Sequence, residues 1–165
     1  YEGGIRTPIL ISWPGKIVPG DRSMLASTLD VYPTLLSAAG VDVAKTLPGR
    51  NLLPWITANA GSGDRDQLFG ESFAHDIEDL NRPEASLQYR WTIQNKWKLI
   101  VSYDAPEDRY AFVHKVNEKA PQLFDLTADP FEKKNLALQN PELVKSLEAD
   151  LQKEWTVSKR PIGFP

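Results

Sequence analysis

The chain has no cysteine, one methionine (Met24) and two histidines in 165 residues. Without cysteine there is no disulfide, no thiolate metal site and no cysteine nucleophile. The histidines, His75 and His114, leave little for imidazole-based catalysis, and no Gly-x-Ser-x-Gly elbow is present. No apolar run approaches the roughly 20 residues that a spanning helix needs, so no membrane partner is expected. An excess of basic charge is missing too. Nineteen Lys and Arg stand against 22 Asp and Glu, for a net charge of −3, and no nucleic-acid partner is expected of such a chain. The opening Tyr1-Glu2-Gly3-Gly4 is neither a start methionine nor a basic-then-apolar leader. Residue 1 is therefore not expected to be a translation start: the chain reads as a processed product, an isolated domain or a fragment, and two of these put function upstream.

What is present is enough for a core. Five Trp, five Tyr and six Phe supply large side chains, each burying a large apolar area. Ile9-Leu10-Ile11-Ser12-Trp13, closed by Pro14-Gly15, predicts a strand buried on both faces of a mainly parallel sheet. Asp30 as N-cap, Pro33 in the first turn and Gly40 after the last predict a helix, with Val31, Leu35 and Ala38 or Ala39 facing a core. Residues 57–66 are small, polar and aperiodic, as in a linker.

Beyond them the pattern changes. Leu68–Ser72 predicts a strand. Leu87, Tyr89, Trp91 and Ile93 alternate with polar residues, as do Trp97, Leu99, Val101 and Tyr103. A turn at Gln94-Asn95-Lys96 makes these a hairpin with one apolar face. Gln122–Leu126 predicts a further strand. Asn140-Pro141-Glu142 starts a helix whose Leu143, Leu147, Leu151 and Trp155 form one stripe. Residues 1–65 carry six basic and five acidic side chains, whereas residues 66–165 carry 13 and 17. The fold class is α+β: a β-α remnant of a larger α/β domain at 1–60, then a small antiparallel sheet packed with a C-terminal helix at 66–165.

Few residues offer chemistry. His75 follows a predicted strand end, with Asp76 and Glu78 nearby to raise its pKa; it reads as a surface histidine or as one presented to a cleft. His114 reads as structural or solvated. Asp125, Asp129 and Glu132 invite a calcium reading, but Thr127-Ala128-Asp129-Pro130 lacks the alternating oxygens and central glycine of such a loop. The expected role of Asp125 and Asp129 is to organise a turn by accepting backbone N–H bonds. Arg90, Lys96 and Lys98 fall on the expected polar side of the hairpin, facing water or an anion such as sulfate. Trp91 and Trp97 read as core.

Longer motifs give more. Tyr1-Glu2-Gly3-Gly4-Ile5-Arg6-Thr7-Pro8 followed by Trp13-Pro14-Gly15 resembles a signature of the sulfatase family, within the alkaline-phosphatase-like superfamily. Leu29–Leu36, Ala39-Gly40, Leu47–Leu53 and Leu123–Ala137 continue the resemblance in order. Gly70–Asp76 with Tyr89-Arg90-Trp91 is similar to the heparan N-sulfatase (N-sulfoglucosamine sulfohydrolase) group and its bacterial relatives, with arylsulfatases the alternative. The resemblance implies hydrolysis of sulfate esters or sulfamates, with sulfated saccharide as substrate. It implies formylglycine as the hydrated nucleophile and calcium to stabilise the developing charge. It also implies an upstream catalytic domain as partner and a periplasmic, secreted or lysosomal location.

The chain departs from that pattern. It has no cysteine, and no serine is followed by Pro or Ala at +2 and Arg at +4. The family's sulfate-binding lysine precedes the Tyr-Glu-Gly-Gly signature, so no catalytic or metal residue carries over and the chain alone is expected to be inactive. His75 and Arg90 are the candidate substrate-binding residues, at the rim that the family's smaller domain lends to the cleft. The alternatives are a sulfated-saccharide-binding module, through Arg90, Lys98 and His75, and an assembly role.

Overall fold

A computed structural model describes residues 1–57, 65–74, 79–103 and 120–157. They divide into two compact units: Tyr1–Ile5 with Phe69–Pro165, and Arg6–Leu68. The boundary expected between residues 60 and 66 compares with one at Leu68, and the first five residues group with the later unit. Most of the expected linker, 58–64, lies outside the described residues.

In the Arg6–Leu68 unit the main element is α2 (Val31–Ala38), the first helix α1 being Glu2–Ile5 of the other unit. A 3-10 turn, Thr28–Asp30, leads into α2; Asp30 holds the N-cap position of α2, as expected, but makes no side-chain cap bond there, and Ser27 caps the turn before it. Ser27 Oγ accepts from the Leu29 amide while the Asp30 carboxylate accepts from the Ser27 amide, a reciprocal capping box. The helix ends as expected. Gly40 takes φ 72°, and the Val41 amide reaches back to the Leu36 carbonyl at 2.9 Å. The short helix α3 (Leu53–Thr57) follows, with Ile56 and the preceding Leu52 buried.

Two expectations fail in this unit. Ile9–Trp13 forms no strand, and Leu10 is 91% exposed. A parallel strand requires neighbours on its hydrogen-bonding edges, and none stands there among the described residues. The stripe expected to face a core also points outward: Val31 and Leu35 are exposed, and Pro33 and Thr34 are buried instead. Thr34 is turned inward by its hydroxyl, which donates to the Asp30 carbonyl at 2.6 Å and accepts from the Leu52 amide at 2.9 Å.

The other unit is the small sheet. Its strands β1 (Gln67–Phe73), β2 (Leu87–Gln94), β3 (Trp97–Ser102) and β4 (Gln122–Asp125) lie in that order across one sheet, with β2–β3 and β3–β4 antiparallel. Helix α4 (Pro141–Glu154) starts at the expected proline. The Asn140 side chain, however, donates through Nδ2 to the Leu136 carbonyl and makes no cap bond. Val144, Leu147 and Leu151 of α4 pack with Leu99, Val101, Tyr103 and Leu123 in the main core. The α+β class is as expected.

The hairpin register differs from expectation, with consequences for the site. Gln94 pairs with Trp97 across a two-residue loop, Asn95-Lys96, with Asn95 at φ 53°. A three-residue turn would have put Trp91 and Leu99 on one face. The two-residue loop puts Trp91 beside Ile100, and Arg90 beside Val101. Hence the sheet has two covered faces. One carries Leu99, Val101, Leu123 and also Arg90, under α4. The other carries Trp91, Ile100, Phe124 and also Lys98, where Tyr1 and Glu2 pack.

Candidate functional site

Arg90, read from sequence as an outward-facing candidate for substrate, is fully buried. That corrects its expected place on a polar face, and the register is the reason. Its guanidinium donates through Nη1 to the Trp155 carbonyl at 2.8 Å and through Nη2 to the Leu151 carbonyl. The Leu151 carbonyl also accepts from the Trp155 amide at 3.2 Å, and both acceptors stand at the end of α4, where a cation meets the negative end of the helix dipole. The Trp155 ring lies 5.3 Å from the guanidinium carbon, and Glu71 Oε1 of β1 lies 3.8 Å from Nε. Burial pushes the Glu71 carboxyl above the usual carboxylate range; the Arg90 charge opposes that shift and Glu154 adds to it.

Lys98, on the opposite face, is equally enclosed, again in place of a solvent-facing residue. Its Nζ stands 2.9 Å from Glu2 Oε1 and 2.8 Å from Glu132 Oε1. The Glu2 amide donates to Glu132 Oε2, closing the cluster. Nothing local in the sequence marks this group, because Glu2 and Lys98 are 96 positions apart.

The acidic residues near the end of β4 organise a turn, as expected. Asp125 Oδ1 accepts from the Thr127 and Ala128 amides at 3.0 and 3.1 Å, and Oδ2 meets Lys96 Nζ at 2.6 Å. The Lys96 contact, with these amides, holds the Asp125 carboxyl below its ordinary range. Asp129 Oδ2 accepts from the Lys134 amide. In the Arg6–Leu68 unit, Asp30 is the organising carboxylate. It takes a two-pronged contact from Arg65 at 2.6 and 2.7 Å and a bond from the Arg50 amide at 2.8 Å. Burial alone would raise its pKa, but the bonds from Arg65, Arg50 and Ser27 outweigh it and the net shift is downward.

His75, with Asp76 and Glu78, lies outside the described residues, as does His114. Among the described residues, no group of three or more His, Asp or Glu side chains could hold a metal ion. The buried carboxylates there are already committed to lysine, arginine or backbone amides. The described residues do not fit a calcium site. No helix among them is long and apolar enough to cross a membrane.

Comparison with known proteins accounts for the motifs. The family described as N-sulphoglucosamine sulphohydrolase, C-terminal, matches residues 1–159. The chain belongs to this sulfatase C-terminal family. It is 30% identical to the uncharacterized sulfatase YdeN of Escherichia coli K12, over 99% of this chain and 31% of that protein. It is 30% identical to the N-acetylgalactosamine-6-O-sulfatase of Bacteroides thetaiotaomicron, over 92% of this chain and 28% of that protein. A solved structure concerned with glycosaminoglycan metabolism by Bacteroides thetaiotaomicron is 26% identical, covering 88% of this chain and 28% of that one, with a TM-score of 0.63. This sulfatase C-terminal chain thus spans less than a third of the length of these relatives.

Proposed function

We propose that this chain is the C-terminal portion of a hydrolase that cleaves sulfate esters or N-sulfate groups of sulfated saccharides, and that it is inert alone. The observation that carries the reading is the family match across residues 1–159, joined to relatives more than three times as long. The nucleophile and calcium ligands belong, on this reading, to polypeptide ahead of Tyr1. The formylglycine would supply the attack on sulfur, and the calcium would neutralise the sulfate. The outward-facing Leu10, Leu29, Tyr32 and Leu35 support a partner for the Arg6–Leu68 unit, and that upstream catalytic domain is the proposed one.

The binding-module alternative is weaker. Two of the cations it relies on, Arg90 and Lys98, are enclosed and already held by protein atoms. Of the two candidate substrate residues, His75 keeps that proposed role, and Arg90 is assigned to fixing the end of α4.

The full-length protein tests this. It is expected to release sulfate from an aryl sulfate or from N-sulfoglucosamine, to lose turnover when calcium is chelated, and to raise KM when carrying His75→Ala. No sulfate release from any sulfated substrate would contradict the reading. Unchanged kinetics of His75→Ala would remove that residue from the site.

A further inference from the structure

Two sequence motifs from opposite ends of the chain meet at one buried lysine, and the sulfatase reading gives them no role. Glu2 comes from the Tyr1–Ile5 segment and Glu132 directly follows the turns at residues 126–131, with Lys98 between them. The Glu2 amide also bonds the Glu132 carboxylate. Tyr1 adds two contacts on the same sheet face: its hydroxyl donates to Gln122 Oε1 at 2.7 Å, and its ring meets Phe124 edge-on with centroids 6.1 Å apart. Glu132 itself sits at φ 52°, a left-handed conformation that a non-glycine residue keeps only when its surroundings hold it. The Asp129 carbonyl holds the Glu132 amide at 3.1 Å, which aims that side chain inward.

From this we infer that Lys98 is a positioning residue: it latches the Tyr1–Ile5 segment to the small sheet and so fixes where polypeptide entering Tyr1 is held. Two carboxylates facing each other inside protein repel, and only a cation between them makes the arrangement stable. Lys98 supplies that cation from β3, a strand buried on both faces. The α1 turn is only four residues long and has no core of its own, so its place depends on this cluster and on Tyr1. The functional part of the inference rests on the proposed sulfatase activity; the latch itself does not.

The test uses the full-length protein. Lys98→Met should speed hydrogen exchange over residues 1–5 by about tenfold or more while β3 and α4 keep their protection. Turnover per folded enzyme should fall about tenfold with KM within about twofold. Lys98→Arg should restore both. If Lys98→Met does not fold, the triple variant with Glu2→Gln and Glu132→Gln removes the repulsion and is expected to show the same local release. Unchanged exchange over residues 1–5, or release of that segment together with the whole sheet, would overturn the latch. Full turnover with the segment released would overturn its functional part. A wild-type protein inactive on sulfate esters would sink the sulfatase reading instead, leaving the exchange result to decide the latch.

Discussion

Two buried side chains show how little a residue's type says about its role without its register. Arg90 and Lys98 both sit at polar positions of an alternating hairpin, and both are enclosed. Replacing Arg90 with Met strands the Trp155 carbonyl, removes one of the two donors to the Leu151 carbonyl and leaves Glu71 without its nearby cation. The expected loss is about 3 kcal/mol of stability in denaturant unfolding, with the Glu71 carboxyl titrating higher still by carboxyl NMR. An unchanged midpoint would show that the helix end does not depend on this guanidinium. Asp30 gives a pH prediction. Its folded pKa is depressed, so its stabilisation is present above the unfolded carboxylate value of about 3.9 and is lost as pH falls through the lower folded one. Protection of the Arg50 amide, which donates to Asp30, should therefore drop in that acid window. In Asp30→Asn the acid-dependent drop should be absent, with protection already lower by about 3 kcal/mol at neutral pH because Arg65 is left unpaired.

At the scale of elements, close approach decides what the sequence can show. Gly49 passes so near the turn into α2 that an added Cβ would stand 2.0 Å from the Leu29 carbonyl oxygen and 2.5 Å from its carbon. Both are backbone atoms of the capped turn and cannot swing aside. Gly49→Ala is therefore expected to destabilise the Arg6–Leu68 unit by about 3 kcal/mol, read as faster exchange at the Leu52 amide. Exchange equal to wild type would show that this turn shifts freely. Helix α4 and strands β2 and β3 were legible, because a proline after Asn140 and a two-residue alternation are local signals. Their pairing was not. Whether the hairpin loop holds two residues or three changes no residue's polarity, yet it moves Arg90 beneath α4. The strand expected at Ile9–Trp13 and the inward stripe of α2 failed for another reason. An apolar run states that something will cover it, not what, and the cover is not among the described residues.

For the whole molecule, motif order told more than any single residue. The family was legible from Tyr1–Pro8, Leu29–Leu36 and Leu123–Ala137, and the match over residues 1–159 bears it out. The scaffold roles behind those motifs are now physical: Glu2 and Glu132 meet Lys98, Asp30 pairs with Arg65 and closes the capping box, and Asp125 with Asp129 shapes the turn after β4. None of these side chains stands ready for a substrate, which is why composition and spacing gave no active site. The most direct check on this account is a sulfate-release assay on residues 1–165 alone, with calcium, beside the full-length protein, using an aryl sulfate and N-sulfoglucosamine. The account predicts turnover by the full-length protein and none by residues 1–165. Calcium-dependent sulfate release by residues 1–165 alone would contradict it.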